Sequence, residues 1–304
     1  MPPKVSVCIP TYNRKDYLKE ALESVFAQTY KDYEVVIFDD GSTDGTEDML
    51  KDVGCDVRYY WVDHIGQYAA RNKLIALSQG EYITFVDSDD LLFPDTIDRL
   101  MNAIDTHGPN IISYGSHIGI DEKGNYVKRK QRSLPTGYIT TELFEHIYVH
   151  SCGMMCAKAL FEEAGGFDTS LMCCAFYKLL LKLSVKFKFI PVEGPTFKRR
   201  RHRGNVSDRS FANRKVEFEV LEDFYFNGGG KEVIPRHRAM RRLSKEGYRA
   251  GRAAIKEGMY EQACQLFSQS FRRHPNVKSL IRWTRAVLTM IRQASLDKSA
   301  HDSM

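Results

Sequence analysis

The chain has 304 residues, of which 43% are hydrophobic and 27% charged, and its formal net charge is +5. This balance excludes an intrinsically disordered or fibrous protein, and the length suits one large α/β domain with a smaller addition. The sequence has no run of about 18 consecutive apolar residues, so we expect no membrane-spanning helix. Its seven cysteines include no C-x-x-C pair, which favours reduced thiols in a cytoplasmic protein.

Strand-like and helical patterns alternate in the first part of the chain. A β-branched run over 5–10 ends in a polar turn, and apolar residues then recur at helical spacing over 17–26. Such alternation predicts a mainly parallel α/β sheet, in which ligands bind beyond the carboxyl ends of the strands. Further strands are predicted over 33–38, 57–62 and 82–86. Cap-forming residues at 42–46 precede a helix through Met49 and Leu50, and another helix is predicted around 69–77.

The rest of the chain is less regular and then becomes helical. Strands are predicted over 111–116, 152–156 and 186–192, with a helix over 176–183. From residue 211 the pattern is helical, and the three glycines at 228–230 interrupt it. We therefore predict a catalytic domain over 1–210 and a helical C-terminal region over 211–304.

An apolar stripe at helical spacing lies near the end of the sequence, with cations beside it. We predict that the stripe packs against the catalytic domain, and the alternative is a helix that lies on a membrane surface at the cytoplasmic side. The members of the stripe are Val277, Leu280, Ile281, Thr284, Val287, Leu288 and Ile291.

Two carboxylates follow the fourth predicted strand in the order Asp87, Ser88, Asp89. At a strand end, carboxylates two residues apart can converge on one hard cation. Magnesium or manganese bridging a diphosphate is the expected use, because either ion keeps coordination positions open for phosphate oxygens. The alternative is an acidic turn that caps the helix starting near Asp95.

Several blocks of sequence resemble glycosyltransferase family 2. The first four are VSVCIPTYNR at 5–14, VVIFDDGSTD at 35–44, ARN at 70–72 and GEYITFVDSDDL at 80–91. Two later blocks, GGFD at 165–168 and HRGNVS at 202–207, extend the resemblance over about residues 4–207. The resemblance implies a GT-A fold, in which a mainly parallel, Rossmann-like sheet is flanked by helices, here with a C-terminal helical appendage.

The resemblance also implies roles for residues of the first three blocks. Pro10 and Tyr12 would form a wall of the base pocket, with the Tyr12 ring able to stack on uracil. Asp40 would accept a hydrogen bond from the base, and Arg14 and Arg71 would lie near the nucleotide or its phosphates. The alternative for Tyr12 and Arg71 is an ordinary packing or surface role.

The remaining implied roles concern the acidic block and the last block. Asp87 and Ser88 would contact the nucleotide, with Asp87 at the ribose or a metal-bound water, and Asp89 would ligate the metal. His202 would contribute to the metal or the diphosphate. It lies near the end of a basic run over 198–203 that we predict to be a mobile loop, because adjacent cations repel one another until an anion binds. An ordinary surface histidine is the alternative for His202.

One departure from the family pattern affects catalysis. The helix after the GGFD block usually begins with an acidic pair, one member of which is the general base, but Ala175 and Phe176 occupy those positions. Three interpretations remain: another group such as Asp168 is the base, the acceptor needs no strong base, or the protein binds donor but transfers poorly.

The resemblance predicts a metal-dependent, inverting glycosyltransferase that uses Mn²⁺ or Mg²⁺ and a UDP-sugar donor, with GDP- and dTDP-sugars as alternatives. Its acceptor would be a hydroxyl of a carbohydrate or glycoconjugate, as in polysaccharide synthesis, and we expect no nucleic-acid partner. The rival functions are a nucleotide-sugar-binding protein without transfer and a nucleotidyltransferase, although no Gly-rich phosphate loop is present. Processive synthases are disfavoured because Ser279 stands where their Q-x-x-R-W motif has glutamine.

Overall fold

The computed structural model describes residues 2–53, 56–127, 133–202, 210–275, 277 and 280–289. Its contacts divide the chain into two compact units. One comprises Met1–Ser170 and Ala175–Asn205, and the other comprises Leu171–Cys174 and Val206–Met304. A domain boundary close to residue 210 remains a proposal.

The first half of the sheet is parallel, as the alternating pattern predicts. Its strands lie in the order β3, β2, β1, β4, and all three pairings are parallel. Because helices cover such a sheet, its two adjacent strands β1 and β4 are mainly apolar and buried on both faces. The elements are β1 (Val5–Thr11), α1 (Lys15–Phe26), β2 (Tyr33–Asp39), α2 (Thr46–Val53), β3 (Arg58–Trp61), α3 (Gln67–Leu77) and β4 (Tyr82–Phe85).

The second half of the sheet is mixed. The order continues from β4 to β8, β6, β9 and β5, and of these pairings only that of β6 with β9 is parallel. The α/β class with flanking helices is thus confirmed, although antiparallel strands make up much of this half. The elements are β5 (Leu91–Leu92), α4 (Thr96–His107), β6 (Ile111–Ile120), β7 (Tyr126–Val127), α5 (Thr140–Glu145), β8 (Met154–Ala157), α6 (Lys158–Glu163), α7 (Ala175–Lys186) and β9 (Lys188–Arg200).

Two glycines allow β6, the turn before β8, and β9 to cross closely. The Gly115 amide donates to the Gly153 carbonyl at 3.0 Å. A Cβ atom on Gly115 would lie 2.1 Å from the Thr196 side chain, and one on Gly153 would lie 2.3 Å from the Thr196 hydroxyl. Gly153 also has a φ of +77°, which side chains rarely adopt. This crossing fixes the backbone on either side of Gly153, including Ser151.

The second unit is mainly helical over its described residues from Ser210 onward. The Ser210 hydroxyl caps α8 by accepting from the Asn213 amide. Within this unit Gly251 lies against the Phe267 ring, so α10 and α11 approach closely. No helix in the described ranges is both long enough and apolar enough to cross a bilayer. The elements are α8 (Phe211–Asn227), α9 (Gly230–Val233), α10 (Arg236–Lys256) and α11 (Tyr260–Arg273), and residues 280–289 are also helical.

Candidate active site

The carboxyl ends of β1 and β4 bring Arg14 and Asp89 together. Asp89 is buried, and its Oδ2 atom lies 2.8 Å from Nη1 of Arg14. The same oxygen lies 2.8 Å from Nε2 of His202, whose side chain is also buried. A buried carboxylate needs such partners because burial without them is costly. Three residues that the sequence assigns to the metal or the phosphates therefore meet at one oxygen atom.

Asp87 has a different set of partners and is more exposed than Asp89. Its Oδ1 atom lies 2.5 Å from Nη2 of Arg71, which α3 places beside the strand end. The Ser151 hydroxyl donates to Oδ2 of Asp87 at 3.2 Å. Ser88, between the two aspartates, is buried. Ser151 is not recognisable from the sequence, because only the crossing at Gly153 brings its loop to this strand end.

Asp90 is buried next to these carboxylates. Burial raises the pKa of Asp90 well above its ordinary value, and the charges of Asp87 and Asp89 raise it further. The Arg200 amide donates to Oδ1 of Asp90 at 3.0 Å, which partly opposes this effect. A bound cation would lower the free-energy cost of keeping this group of carboxylates ionised.

Arg200 connects the end of β9 to the acidic strand end. It is almost fully buried, and its Nε donates to the Asp89 carbonyl at 3.2 Å. Its Nη2 lies 2.5 Å from a Glu20 carboxylate oxygen, and its guanidinium lies over the Tyr17 ring at 4.9 Å. The Tyr17 ring in turn lies 5.2 Å from the His202 ring. Arg200 thus positions the chain just before His202.

The prediction of a mobile loop over 198–203 is wrong for its first half. Lys198, Arg199 and Arg200 belong to β9, where β6 pairs with one edge and β5 with the other edge at Lys198. A strand paired in this way has its backbone groups satisfied, so self-repulsion of the cations does not displace it. Arg201 and His202 follow the strand, and Arg203 lies outside the described residues.

Asp40 holds a neighbouring loop in place. It is buried, and it accepts from the Ile65 amide at 2.6 Å and from the Gly66 amide at 3.1 Å. His64 Nδ1 lies 2.8 Å from Oδ2 of Asp40, the oxygen that also accepts from the Gly66 amide. The His64 ring lies 4.8 Å from the Tyr12 ring, which is 47% exposed. Asp40, Tyr12 and His64 therefore border one polar and aromatic surface, next to the half-buried Pro10.

The residues present suit a divalent cation chemically. Asp87 and Asp89 offer carboxylate oxygens, and His202 offers an imidazole nitrogen. Manganese accepts both kinds of ligand, whereas magnesium prefers the oxygens. Within the described ranges, no three carboxylate, imidazole or thiol side chains already converge as a metal site. Arg14 and His202 now contact the Asp89 oxygen that a cation would need.

The start of α7 offers no carboxylate. Ala175 is fully buried, and the half-buried Phe176 ring stacks on Phe167 at 6.2 Å. Hydrogen bonds from the Ser170 hydroxyl and the Lys178 ammonium lower the pKa of Asp168 to about 2. A carboxylate with so low a pKa is a weak proton acceptor, which counts against Asp168 as the general base.

Two of the sequence blocks contact each other through Asn72. Its side-chain amide donates to the Phe167 carbonyl at 2.8 Å and accepts from the Phe167 amide at 2.8 Å. A Cβ atom on Gly166 would lie 2.6 Å from the Asn72 oxygen, and the φ of Gly166 is +66°. Asn72 thus fixes the GGFD turn against α3, which also carries Arg71.

Comparison with solved structures defines the architecture. Residues 1–349 of S. aureus TarS superpose with a TM-score of 0.64 at 17% identity, over 90% of this chain and 81% of TarS. The same TarS fragment in complex with UDP-GlcNAc gives a TM-score of 0.61. A mannosyltransferase from Pyrobaculum calidifontis in complex with GDP-Man and Mn²⁺ gives 0.50 at 17% identity, over 97% of this chain and 81% of its own. The fold is therefore an α/β fold of the GT-A type.

Sequence comparison identifies the family. The model described as Glycosyl transferase family 2 matches residues 6–164. An uncharacterised glycosyltransferase of Rickettsia typhi is 32% identical over 72% of this chain and 70% of its own length. Chondroitin synthase of Escherichia coli is 31% identical over 73% of this chain and 32% of its length. The chain belongs to glycosyltransferase family 2, and it spans between 27% and 70% of the length of the rickettsial relatives it matches.

Proposed function

We propose that the protein is an inverting glycosyltransferase that transfers a sugar from a UDP-sugar to a hydroxyl of a carbohydrate or glycoconjugate, with Mn²⁺ or Mg²⁺. The observation that carries the proposal is the meeting of Asp89 with Arg14 and His202, each at 2.8 Å, at the carboxyl edge of the sheet. Family membership and the nucleotide sugars bound by TarS and by the archaeal mannosyltransferase support it.

The diphosphate would be bound by cations that now contact the aspartates. Arg14 and Arg71 can turn from Asp89 and Asp87 to phosphate oxygens, because guanidinium groups bind carboxylate and phosphate in the same forked geometry. Asp87, Asp89 and His202 would hold the divalent cation, which would offset the charge of the departing diphosphate when bound. Ser151 would keep Asp87 oriented while Arg71 turns away.

The base and ribose would lie on the surface bordered by Pro10, Tyr12, Asp40 and His64. The exposed Tyr12 ring can stack on a pyrimidine, and the His64 ring beside it extends the aromatic surface. Asp40 would act on the base through the loop that it holds as well as by direct contact, since its carboxylate already accepts from two amides of that loop. A pyrimidine base suits this surface, so we favour UDP over GDP.

A nucleotide-sugar-binding protein with weak transfer is the second candidate. The absence of a carboxylate at Ala175 and Phe176 and the low pKa of Asp168 favour it, because general-base assistance contributes about a hundredfold to ten-thousandfold to such reactions. Inversion requires attack by the acceptor oxygen opposite the leaving diphosphate, and another group would have to take its proton.

The two candidates differ in turnover and share donor binding. Calorimetry with UDP and a set of UDP-sugars, with Mn²⁺ and with EDTA, tests the site. Release of UDP in the presence of mixed oligosaccharide and glycolipid acceptors tests transfer. We expect Mn²⁺-dependent binding together with acceptor-stimulated UDP release. Binding without release under any acceptor would favour the second candidate, and no nucleotide binding would contradict both.

A further inference from the structure

Large apolar side chains are exposed near the C-terminal end of the second unit. Val277, Leu280, Ile281 and Leu288 are 43% to 70% exposed, and Trp283 is 39% exposed. Val277, Leu280, Ile281 and Leu288 belong to the apolar stripe, whose other described members are the exposed Thr284 and the half-buried Val287. These four side chains and the Trp283 ring are thus open to solvent.

The helical geometry explains which face is open. At about 100° per residue, Leu280, Ile281 and Leu288 fall on one side of the helix. Ala286 falls on the opposite side and is only 1% exposed. The segment therefore packs through its small residue and presents its large apolar residues outward. A helix on a protein surface normally buries its large apolar residues and exposes its small or polar ones. This face is therefore suited to an apolar partner.

The charges beside the stripe indicate the chemistry of that partner. Arg285 is exposed at one edge of the stripe, and Arg282 is exposed on the same flank, between that edge and Ala286. The sequence from 274 to 296 contains four lysines and arginines and no aspartate or glutamate. Trp283 adds an amphipathic ring of the kind that is enriched at the boundary between lipid headgroups and hydrocarbon.

We infer that this face binds the surface of an anionic lipid bilayer. The stripe would enter the boundary between headgroups and acyl chains, while Arg285 at its edge contacts lipid phosphates. A second copy of the chain is a poorer occupant, because two stripes facing each other would bring the same cations together without any carboxylate in the segment. The inference does not depend on the proposed function.

Sedimentation of the protein with vesicles tests the inference. The probes are phosphatidylcholine vesicles and phosphatidylcholine vesicles that contain about a quarter phosphatidylglycerol. We expect binding to the anionic vesicles, weakened by salt, and little binding to the neutral ones. The double variant Ile281→Glu with Leu288→Glu should lower the bound fraction at least about tenfold, because both apolar anchors become charged.

The matched control is Phe226→Glu with Val233→Glu. It adds the same two carboxylates at exposed apolar residues elsewhere in the same unit. We expect it to bind vesicles as the parent does, and circular dichroism should show that both double variants are folded. No binding to anionic vesicles, or equal loss in both variants, would overturn the inference. So would sedimentation equilibrium in which Ile281→Glu with Leu288→Glu dissociates a dimer while vesicle binding is absent.

Discussion

A single carboxylate oxygen of Asp89 contacts both Arg14 and His202, so a cation at this position must compete with both. We expect Asp89→Asn to abolish the dependence of UDP affinity on Mn²⁺ and to weaken binding at least about tenfold, because the amide keeps the shape and loses the charge. Calorimetry with and without EDTA measures this. Asp95→Asn, at an exposed aspartate paired only with Arg99 among the described contacts, is the control and should leave UDP binding unchanged.

The effect of introducing a carboxylate at the start of α7 depends on how deeply the substituted residue is buried. Ala175 and Phe176 both stand where the acidic pair is usual, but Ala175 is fully buried whereas Phe176 is half-buried beside Phe167. We expect Ala175→Glu to destabilise the fold by about 1–3 kcal/mol, because an unpaired polar group would be buried. We expect Phe176→Asp to raise kcat about tenfold or more with unchanged donor affinity, because a base acts on the acceptor in the transition state. Kinetics and thermal unfolding of both variants measure these effects. The prediction is wrong if Ala175→Glu is the more active variant.

We expect Asp168 to contribute to stability rather than to proton transfer. Its pKa of about 2 lies below the ordinary value, so its pairing stabilises the fold above about pH 4 and is lost as the pH falls toward 2. Asp168→Asn should therefore destabilise the protein at pH 7 and converge with the parent in acid, with the pH profile of kcat unchanged above pH 5. Urea unfolding across pH, with Glu163→Gln at an exposed ion pair as control, checks this. A profile that loses a limb in Asp168→Asn would restore Asp168 as the base.

At the scale of elements, the crossing at Gly153 connects β9 to the loop of Ser151. We expect Gly153→Ala to cost about 2–4 kcal/mol of unfolding free energy, since its Cβ would overlap Thr196 and Phe197 at a positive φ. Gly124→Ala is the matched control, because Gly124 has a φ of +84° and no atom lies within 4 Å of the Cβ that alanine would add, and about 1 kcal/mol is expected there. Equal destabilisation in denaturant unfolding would show that backbone conformation, not the close crossing, sets the cost.

At the scale of the whole molecule, every site residue lies in the first unit. Arg14, Asp89 and His202 all belong to Met1–Ser170 and Ala175–Asn205. We therefore expect a chain that ends at residue 210 to bind UDP with Mn²⁺ within about threefold of the full chain, while losing vesicle binding. Circular dichroism and calorimetry measure this. Loss of nucleotide binding in a folded truncation would show that the second unit contributes to the site.

The sequence by itself determined the family, the parallel half of the sheet and the place of the acidic strand end. These features are local, because strand and helix periods and the residues just after a strand are read from a few neighbours. The substitution of the acidic pair by Ala175 and Phe176 can be recognised from the sequence for the same reason. Contacts between distant segments cannot be recognised from it, because strand pairing and close crossings determine them.

The tertiary structure decided which side chains meet. His202 reaches Asp89 across 113 residues because β9 runs beside β6 and ends at the acidic turn. The same pairing turns three residues of a basic run into strand and buries Arg200. Ala175 and Phe176 are equivalent in the sequence pattern, but in the structure Ala175 is fully buried and Phe176 is only half-buried. At the C-terminal end, packing through Ala286 leaves the apolar stripe exposed, since a helical period shows that a face is apolar and not what covers it.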